Sequence, residues 1–500
     1  MIFLGASQSK IGIDPMKMFI DTGITGYSLA TDAQPLYVSS LLLQEAFEKQ
    51  IPKLVVLDIG TCFHKDEFFQ DKSYRFVSDN MKNDKSKEQL SLYFASRFPY
   101  RKRIENYLSM KFPLIQYHDR WKTLTQQDFQ LFDHRNYYRK GHHIASNIAP
   151  TWIEKNTINN LSQKLRTPGK RITIDDKEEI EIENVDSSPK PVISSMAEES
   201  ILDIKKLCDE NDVELLLIKF PAVYGPIQPI FNNSVWTKEK SDIVKNFCNQ
   251  HAINYIDLFY DIDVEIDWST ETYDGGLHLN QKGAQKITKY LQEYIKQNYG
   301  FESSESIYYI EDIPIYHEII KIADLQMTQD IKSYLEKITN MNNAAVIISL
   351  SGNIQDYFGD DIFEQLLLGA DKKQFDDEIM RQIKLEAGAI IIERGQVVAQ
   401  AYSDKEVREK KIVAGKNVVI DSTDFSQGAI SEILIDGYSY AYNALGLNII
   451  VLDLESGLIL DWATFSANST DKNIHNNAET NLRNYELYLM KKDYQAGIGR

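Results

Sequence analysis

The apolar and polar positions of the chain follow two different rhythms, one up to about residue 300 and another beyond it. "MIFLG" reads as a short apolar strand. "QPLYVSSLLLQEAFEKQ" has helical spacing at Leu36, Ser39/Ser40, Leu43, Ala46 and Phe47. "PKLVVLDIG" is a continuous apolar run ending in glycine, the form a strand takes when both its faces are buried in a parallel sheet. The alternation resumes with "AEESILDIKKLCDENDV", a helix with Ile201, Ile204, Leu207 and Cys208 on one face. The strand "ELLLIKFP", the Thr-capped helix "TKEKSDIVKNFCNQHA" and the strand "INYIDL" follow. "QKGAQKITKYLQEYIKQNY" then forms a helix with Ile287, Tyr290, Leu291 and Tyr294 together. Strand–helix alternation of this kind predicts a three-layer α/β domain with a parallel sheet, here over residues 1–300. Within it, residues 61–195 are rich in aromatic and charged residues and read as an irregular insertion over one edge of the sheet. "KFPLIQYHDRWKTLTQQDFQLF" reads there as part helix and part loop, and "KRITIDDKEEIEIENVDSSPKP" as an exposed hairpin and polar linker.

Residues 301–328, opening "FESSESIYYIEDIP", read as an acidic linker. A short helix, "TQDIKSYLEKITN", then leads into "AAVIISLSG", "AGAIIIERGQVVAQAYS", "NVVIDS", "ISEILIDGYSY" and "GLNIIVLDLESGLILDWATFS". These are strands punctuated by turns at Glu-Arg-Gly, Asp-Gly and Glu-Ser-Gly. Residues 329–475 are therefore expected to form a mostly β, sandwich-like module with a helix at "DDIFEQLLLGA". Residues 476–500, with "NLRNYELYLMKKDY", are expected to end the chain in a helix.

A chain of 500 residues is too long for one compact core, in keeping with this division. The formal charge of −18 argues against nucleic acid as a partner, since no basic surface is available to release phosphate counterions. Residues 301–500 hold 18 Lys+Arg against 32 Asp+Glu, so they carry −14 of it and would be repelled by anionic lipids and polymers. Cys62, Cys208 and Cys248 lie far apart and in no zinc-ligand spacing. Cys208 and Cys248 fall on apolar helix faces, which fits a reducing compartment. No apolar run reaches membrane-spanning length and no signal peptide is visible, so the sequence as written reads as cytoplasmic. The alternative is the cell envelope, with membrane association through an upstream anchor or a partner.

Sites in open α/β sheets form beyond the carboxyl ends of the strands. The first strand ends in "GASQS", which puts Ser7 on the strand-to-helix turn, where backbone N–H groups can face a developing oxyanion. "DGGLHLN" precedes the last helix of the α/β domain and carries Asp274 and His278. In a parallel sheet these ends share one rim, so Ser7 and His278 can meet. A histidine there could take the serine proton, with Asp274 holding the other ring nitrogen.

"IFLGASQSKIGIDP", "PKLVVLDIG", "YHDRW" and "DGGLHLNQKGAQKITKYL" resemble the SGNH/GDSL hydrolase superfamily. The resemblance is to its cell-surface-polysaccharide branch, related to teichoic acid D-alanyl transfer proteins and to polysaccharide O-acetyl transferases and esterases. It covers roughly residues 1–300 and implies a flavodoxin-like three-layer sandwich. It further implies Ser7 as nucleophile, His278 as general base and Asp274 as its orienting acid. Asp274 stands four residues before His278, one more than the family's spacing, so a Ser–His dyad is the alternative. Oxyanion donors would be the N–H groups of Ser7 and, in the loop after "LVVLD", Gly60. In "YHDRW", His118, Arg120 and Trp121 read either as a sugar subsite or as part of a structural Arg–Asp pairing. His142 and His143 lack a spaced carboxylate or Cys partner for a metal, and the chemistry requires no metal or organic cofactor.

"ISEILIDGYSYAYNALGLNIIVLDLESGLILDWATFS" resembles the interleukin-like EMT inducer (ILEI) domain, over about 340–470. Gly437–Tyr438, Gly446, Asn448, Gly457 and Phe465 carry the resemblance. It implies a compact non-catalytic β module that binds glycan or a protein partner. The expectation for the whole chain is a serine hydrolase or acyltransferase acting on acyl esters of a glycan or cell-surface polysaccharide. The alternative is a non-catalytic glycan- or protein-binding scaffold.

Overall fold

A computed structural model describes residues 1–123, 138–148, 190–223, 236–262, 264–352, 386–424, 428, 430–440, 445–466 and 474–495. The chain divides into two units, Met1–Tyr316 and His317–Arg500.

The first unit is built on five parallel strands: β1 (Ile2–Leu4), β2 (Tyr27–Ser28), β3 (Leu54–Asp58), β4 (Glu214–Lys219) and β5 (Asn254–Asp257), in the order β2-β1-β3-β4-β5. Side chains alternate between the faces of a strand, and both faces here are apolar. Leu54, Val56, Leu216 and Ile218 face one core with Phe3, Met18, Ile287 and Leu291. Val55, Leu57, Leu215 and Leu217 face another with Leu43, Ile201, Ile204, Cys208, Val244 and Cys248. After the short helix α1 (Ser7–Gly12), the helices supplying these contacts are α2 (Pro15–Thr22) and α3 (Leu36–Phe47), then, beyond four helices running from α4 (Asp71–Ser78) to α7 (Pro113–Tyr117), α8 (Ser195–Glu210), α9 (Lys238–Gln250) and α10 (Gln281–Tyr299). The result is the expected three-layer α/β arrangement. Its two-residue strand β2 is too short to show in the hydropathy pattern. All three cysteines are free and buried, and burial pushes the thiols of Cys208 and Cys248 up to about 12.

Two expectations need correcting. The stretch read as an irregular insertion contains four helices, α4 (Asp71–Ser78), α5 (Asp84–Ser96), α6 (Tyr100–Lys111) and α7 (Pro113–Tyr117). Tyr74, Val77, Leu90, Phe94 and Met110 bury themselves against Val38 and Leu41 of α3. Their helical spacing is diluted by charged neighbours, which hid it from the hydropathy pattern. The hairpin expected at "KRITIDDKEEIEIENV" lies outside the described residues. The second correction concerns residues 301–328. They are no plain linker but include α11 (Ile307–Ile310) and α12 (Ile313–Gln326). Tyr309 Oη donates to Gly26 O at 2.6 Å, Tyr316 Oη donates to Asp14 Oδ2, and Lys140 pairs with the buried Asp312. These polar contacts hold the start of the segment, and along α12 Ile319, Ile322 and Ala323 are buried at helical spacing.

The second unit consists of two antiparallel sheets sharing an apolar core. One has six strands in the order β15-β14-β13-β6-β7-β8, from β6 (Ala344–Ser351), β7 (Ala387–Glu393), β8 (Gln396–Ser403), β13 (Gly446–Asp453), β14 (Ile459–Ser466) and β15 (Ile474–His475). The other has four in the order β12-β11-β10-β9, from β9 (Glu406–Val413), β10 (Lys416–Thr423), β11 (Ser431–Ile435) and β12 (Tyr438–Ser439). Ile347, Ile391, Ile450 and Leu452 of the first meet Val407, Val418, Ile420 and Ile433 of the second. The two-residue turns Arg394–Gly395, Ala414–Gly415 and Asp436–Gly437 have positive φ at both positions, the twist that tight hairpins require. Helices α13 (Ile331–Thr339) and α14 (Ala478–Gln495) complete the unit. The helix expected at "DDIFEQLLLGA" lies outside the described residues. Among the described residues no helix is long and apolar enough to cross a membrane.

Two outcomes follow from this packing. Gly141 has φ +85°, and a Cβ there would stand 2.0 Å from the carbonyl oxygen of Ser28, where the segment 138–148 docks on β2. Gly141→Ala is expected to destabilise the first unit by ~2 kcal/mol or more, read by urea denaturation. In the loop after β3, burial and then the charge of Lys240 push His64 down to about 4. The unfolded chain therefore binds the proton between the ordinary value of 6.5 and about 4 while the folded chain does not, and stability falls as pH drops through that window. His64→Gln is expected to flatten this part of the stability–pH curve, measured by denaturation at a series of pH values.

Candidate active site

The carboxyl ends of β1, β3 and β4 lie side by side, and the loops leaving them crowd together. Gly5, just after β1, has φ +140°, and a Cβ there would stand 2.6 Å from Asp58 Cβ. Only glycine lets this turn pass so close to the end of β3. The turn delivers Ser7 to the first position of α1, after the extended Ala6. First-turn N–H groups of a helix have no intrahelical acceptor, so the Ser7 N–H stands at an end of the helix suited to negative charge.

Asp274 and His278 lie on the loop entering α10. Gly275 and Gly276 have φ +84° and +127°, so the chain folds back sharply between them. Asp274 Oδ1 closes this turn by accepting from Leu277 N at 3.1 Å and His278 N at 2.9 Å. Its Oδ2 lies 2.6 Å from His278 Nδ1. The extra residue in the Asp-x-x-x-His spacing is absorbed by the two left-handed glycines, which leave the carboxylate within reach of the imidazole. Asn280 then caps α10 through Oδ1, which accepts from Lys282 N and Gly283 N. Its Nδ2 donates to Thr270 O at 2.8 Å, holding the loop to the body of the unit.

Ser7 Oγ is 2.7 Å from His278 Nε2, across a separation of 271 residues. The three groups form one hydrogen-bonded chain from hydroxyl to imidazole to carboxylate. A carboxylate can only accept, so Nδ1 carries the proton toward Asp274 and Nε2 is left as the acceptor facing Ser7. That is the arrangement able to take a hydroxyl proton as the oxygen attacks a carbonyl. The Tyr273 ring lies along the imidazole, with centroids 5.4 Å apart, and its hydroxyl is 3.3 Å from Nδ1.

The other expected residues fall differently. Gly60 sits beside the serine loop, but its N–H donates to Asp58 Oδ1 at 3.1 Å and is already committed there. His118 and Trp121 are exposed: His118 Nδ1 lies 3.0 Å from Ile115 O and its Nε2 3.2 Å from Asp119, and Lys122 covers the Trp121 ring. Arg120 is exposed beside them. His142 is buried against Gln281 Oε1 at 2.8 Å, and the His143 N–H donates to Lys10 O.

The pattern reading missed Gln8, Asp58 and Lys219. Lys219 ends β4, is wholly buried, and donates from Nζ to Gln8 Oε1 at 2.9 Å and to Phe220 O. Gln8 Nε2 donates onward to Leu277 O at 3.0 Å. Asp58, the last residue of β3, accepts from Gly60 N at 3.1 Å, and the nearby N–H groups of Ala6 and Phe220 also favour its charged form. Burial pushes the Asp58 carboxyl up and the Lys219 ammonium down, and the attraction between their charges opposes both shifts. The available signal was a charged residue closing each of two otherwise apolar strands, "LVVLD" and "ELLLIK".

No family model matches the chain. No curated protein matches it by sequence. Among solved structures it is similar to a crystal structure from Bacteroides fragilis named a "putative acylhydrolase", with 11% sequence identity and a TM-score of 0.27, over 60% of this chain and 86% of that one.

Proposed function

We propose that the first unit is a serine hydrolase or acyltransferase of SGNH type. The observation that carries the reading is the hydrogen-bonded chain Ser7 Oγ–His278 Nε2 at 2.7 Å and His278 Nδ1–Asp274 Oδ2 at 2.6 Å. In this reading Ser7 Oγ attacks an acyl carbonyl while His278 Nε2 takes its proton. Asp274 fixes the tautomer and stabilises the imidazolium that forms. The Ser7 N–H, at the start of α1, faces the oxyanion. His278 then returns the proton to the leaving oxygen, and the acyl-enzyme passes to water or to a sugar hydroxyl.

The substrate class follows from the resemblance of residues 1–300 to the polysaccharide branch of the SGNH superfamily: acyl esters on a glycan or cell-surface polysaccharide. The second unit serves in this reading as a non-catalytic ILEI-like module that binds glycan or a protein partner. Gly437 and Gly457 have φ +85° and +67°, so turn geometry alone accounts for them, and Tyr438 is 72% exposed at such a turn.

Labelling with a fluorophosphonate probe tests the reading. The folded wild type is expected to label covalently, Ser7→Ala not at all, and His278→Ala and Asp274→Asn roughly 10²–10⁴-fold more slowly. A folded wild type that does not label would overturn the hydrolase reading and leave a binding scaffold.

A further inference from the structure

The serine and histidine come from opposite ends of the first unit, and one side chain bridges the residues beside them. Gln8 follows Ser7 directly, and its Nε2 donates to the carbonyl of Leu277, which directly precedes His278. The bridge works in one orientation of the amide only: Nε2 must face Leu277 O, and Oε1 must face away from it. Lys219 imposes that orientation. An ammonium has three donors and no acceptor, so it can face only Oε1, at 2.9 Å. Turned over, the amide would put its NH₂ against the ammonium and its oxygen against a carbonyl oxygen.

Lys219 is itself held without freedom. It is 1% exposed, donates also to Phe220 O, and lies over the Trp236 ring, 5.3 Å from its centroid. Trp236 in turn donates through Nε1 to Asp257 Oδ2 at 2.7 Å. Asp58 and Asp257, at the ends of the flanking strands β3 and β5, supply the negative charge around it. A buried lysine charge is costly, so its presence calls for a use.

We propose that Lys219 and Gln8 are positioning residues that fix the distance between Ser7 and His278, with Lys219 acting as the lock on the Gln8 amide. The inference rests on the serine hydrolase reading above. Neither residue touches the reacting atoms; each acts through the peptide next to one that does. Misplacing a reacting pair by about 1 Å costs on the order of 10²-fold in rate.

The test measures fluorophosphonate inactivation of the full chain at a range of probe concentrations, for wild type, Ser7→Ala, Lys219→Met, Gln8→Met and Gln8→Glu. Lys219→Met and Gln8→Met are expected to lower the maximal inactivation rate about 10–100-fold while the half-saturating probe concentration changes by less than about twofold. Gln8→Glu keeps an oxygen for Lys219 but loses the donor to Leu277, so it is expected to be equally slow near neutral pH. Its rate relative to wild type should rise as pH falls, because a protonated carboxyl regains that donor. Wild-type rates in Lys219→Met and Gln8→Met overturn the proposal and leave the hydrolase reading intact. A Gln8→Glu deficit that is the same at every pH overturns the hydrogen-bond route. If urea denaturation shows Lys219→Met unfolded, the two Gln8 variants decide alone. Equal labelling of wild type and Ser7→Ala, or none in either, sinks the hydrolase reading first and this proposal with it.

Discussion

Everything at the rim of the first unit depends on the Asp58 carboxylate. It lies at the end of the central strand β3, accepts from Gly60 N at 3.1 Å, and its charge is further favoured by the N–H groups of Ala6 and Phe220, just beyond β1 and β4. Burial of a carboxylate is unfavourable, and backbone donors together with the nearby ammonium of Lys219 are what offset it. Ala6 is the residue before Ser7, Phe220 the residue after Lys219, and Gly60 opens the next loop.

The two halves of the candidate site are stiffened by separate local devices before they meet. On the histidine side, Asp274 makes three contacts within its own turn, so the imidazole is aimed by a closed loop of five residues. Asn280 then fixes that loop to α10 and to Thr270. On the serine side, the short helix α1 and the close approach of Gly5 to Asp58 leave little room for movement. Preorganisation of this kind matters because a general base and its nucleophile must hold their distance before the substrate arrives.

The second unit solves a different problem with the same means. Its sandwich core is apolar, yet Asn448, Ser431, Ser349 and Thr464 are buried within it. They satisfy one another: Asn448 Nδ2 donates to Ser431 Oγ at 2.7 Å, Ser431 Oγ to Ser349 Oγ at 2.8 Å, and Thr464 Oγ1 to Asn448 Oδ1 at 2.8 Å. Such a chain fixes the register of β6, β11, β13 and β14 more narrowly than interchangeable aliphatic contacts can. Nearby, His475 presents one ring nitrogen to Asp461 Oδ2 at 2.9 Å and the other to the carbonyl of Thr328 at 2.8 Å. The same Asp461 oxygen accepts from Tyr334 Oη, which ties α13 to the sheet.

The sequence by itself determined the layers. Runs such as "LVVLD" and "ELLLIK" are apolar on both faces, and helices with one apolar stripe separate them, so a buried parallel sheet between two helical layers was the one economical arrangement. It also marked Ser7 and the Asp274–His278 turn, because residues at strand ends and helix starts are visible in the pattern. It did not show the helices α4 to α6, whose apolar stripes are diluted by charged neighbours, nor α12, which the acidic residues before it disguised as linker. Tertiary structure alone decided whether a serine and a histidine 271 residues apart would touch, since that depends on parallel register across β1, β3, β4 and β5. It alone decided that the Asp-x-x-x-His spacing brings the carboxylate to the imidazole, since two positive-φ glycines are a matter of backbone angle and not of residue count. The bridge from Lys219 through Gln8 to Leu277 was likewise beyond reach: hydrogen bonds between distant side chains leave no periodic trace along the chain.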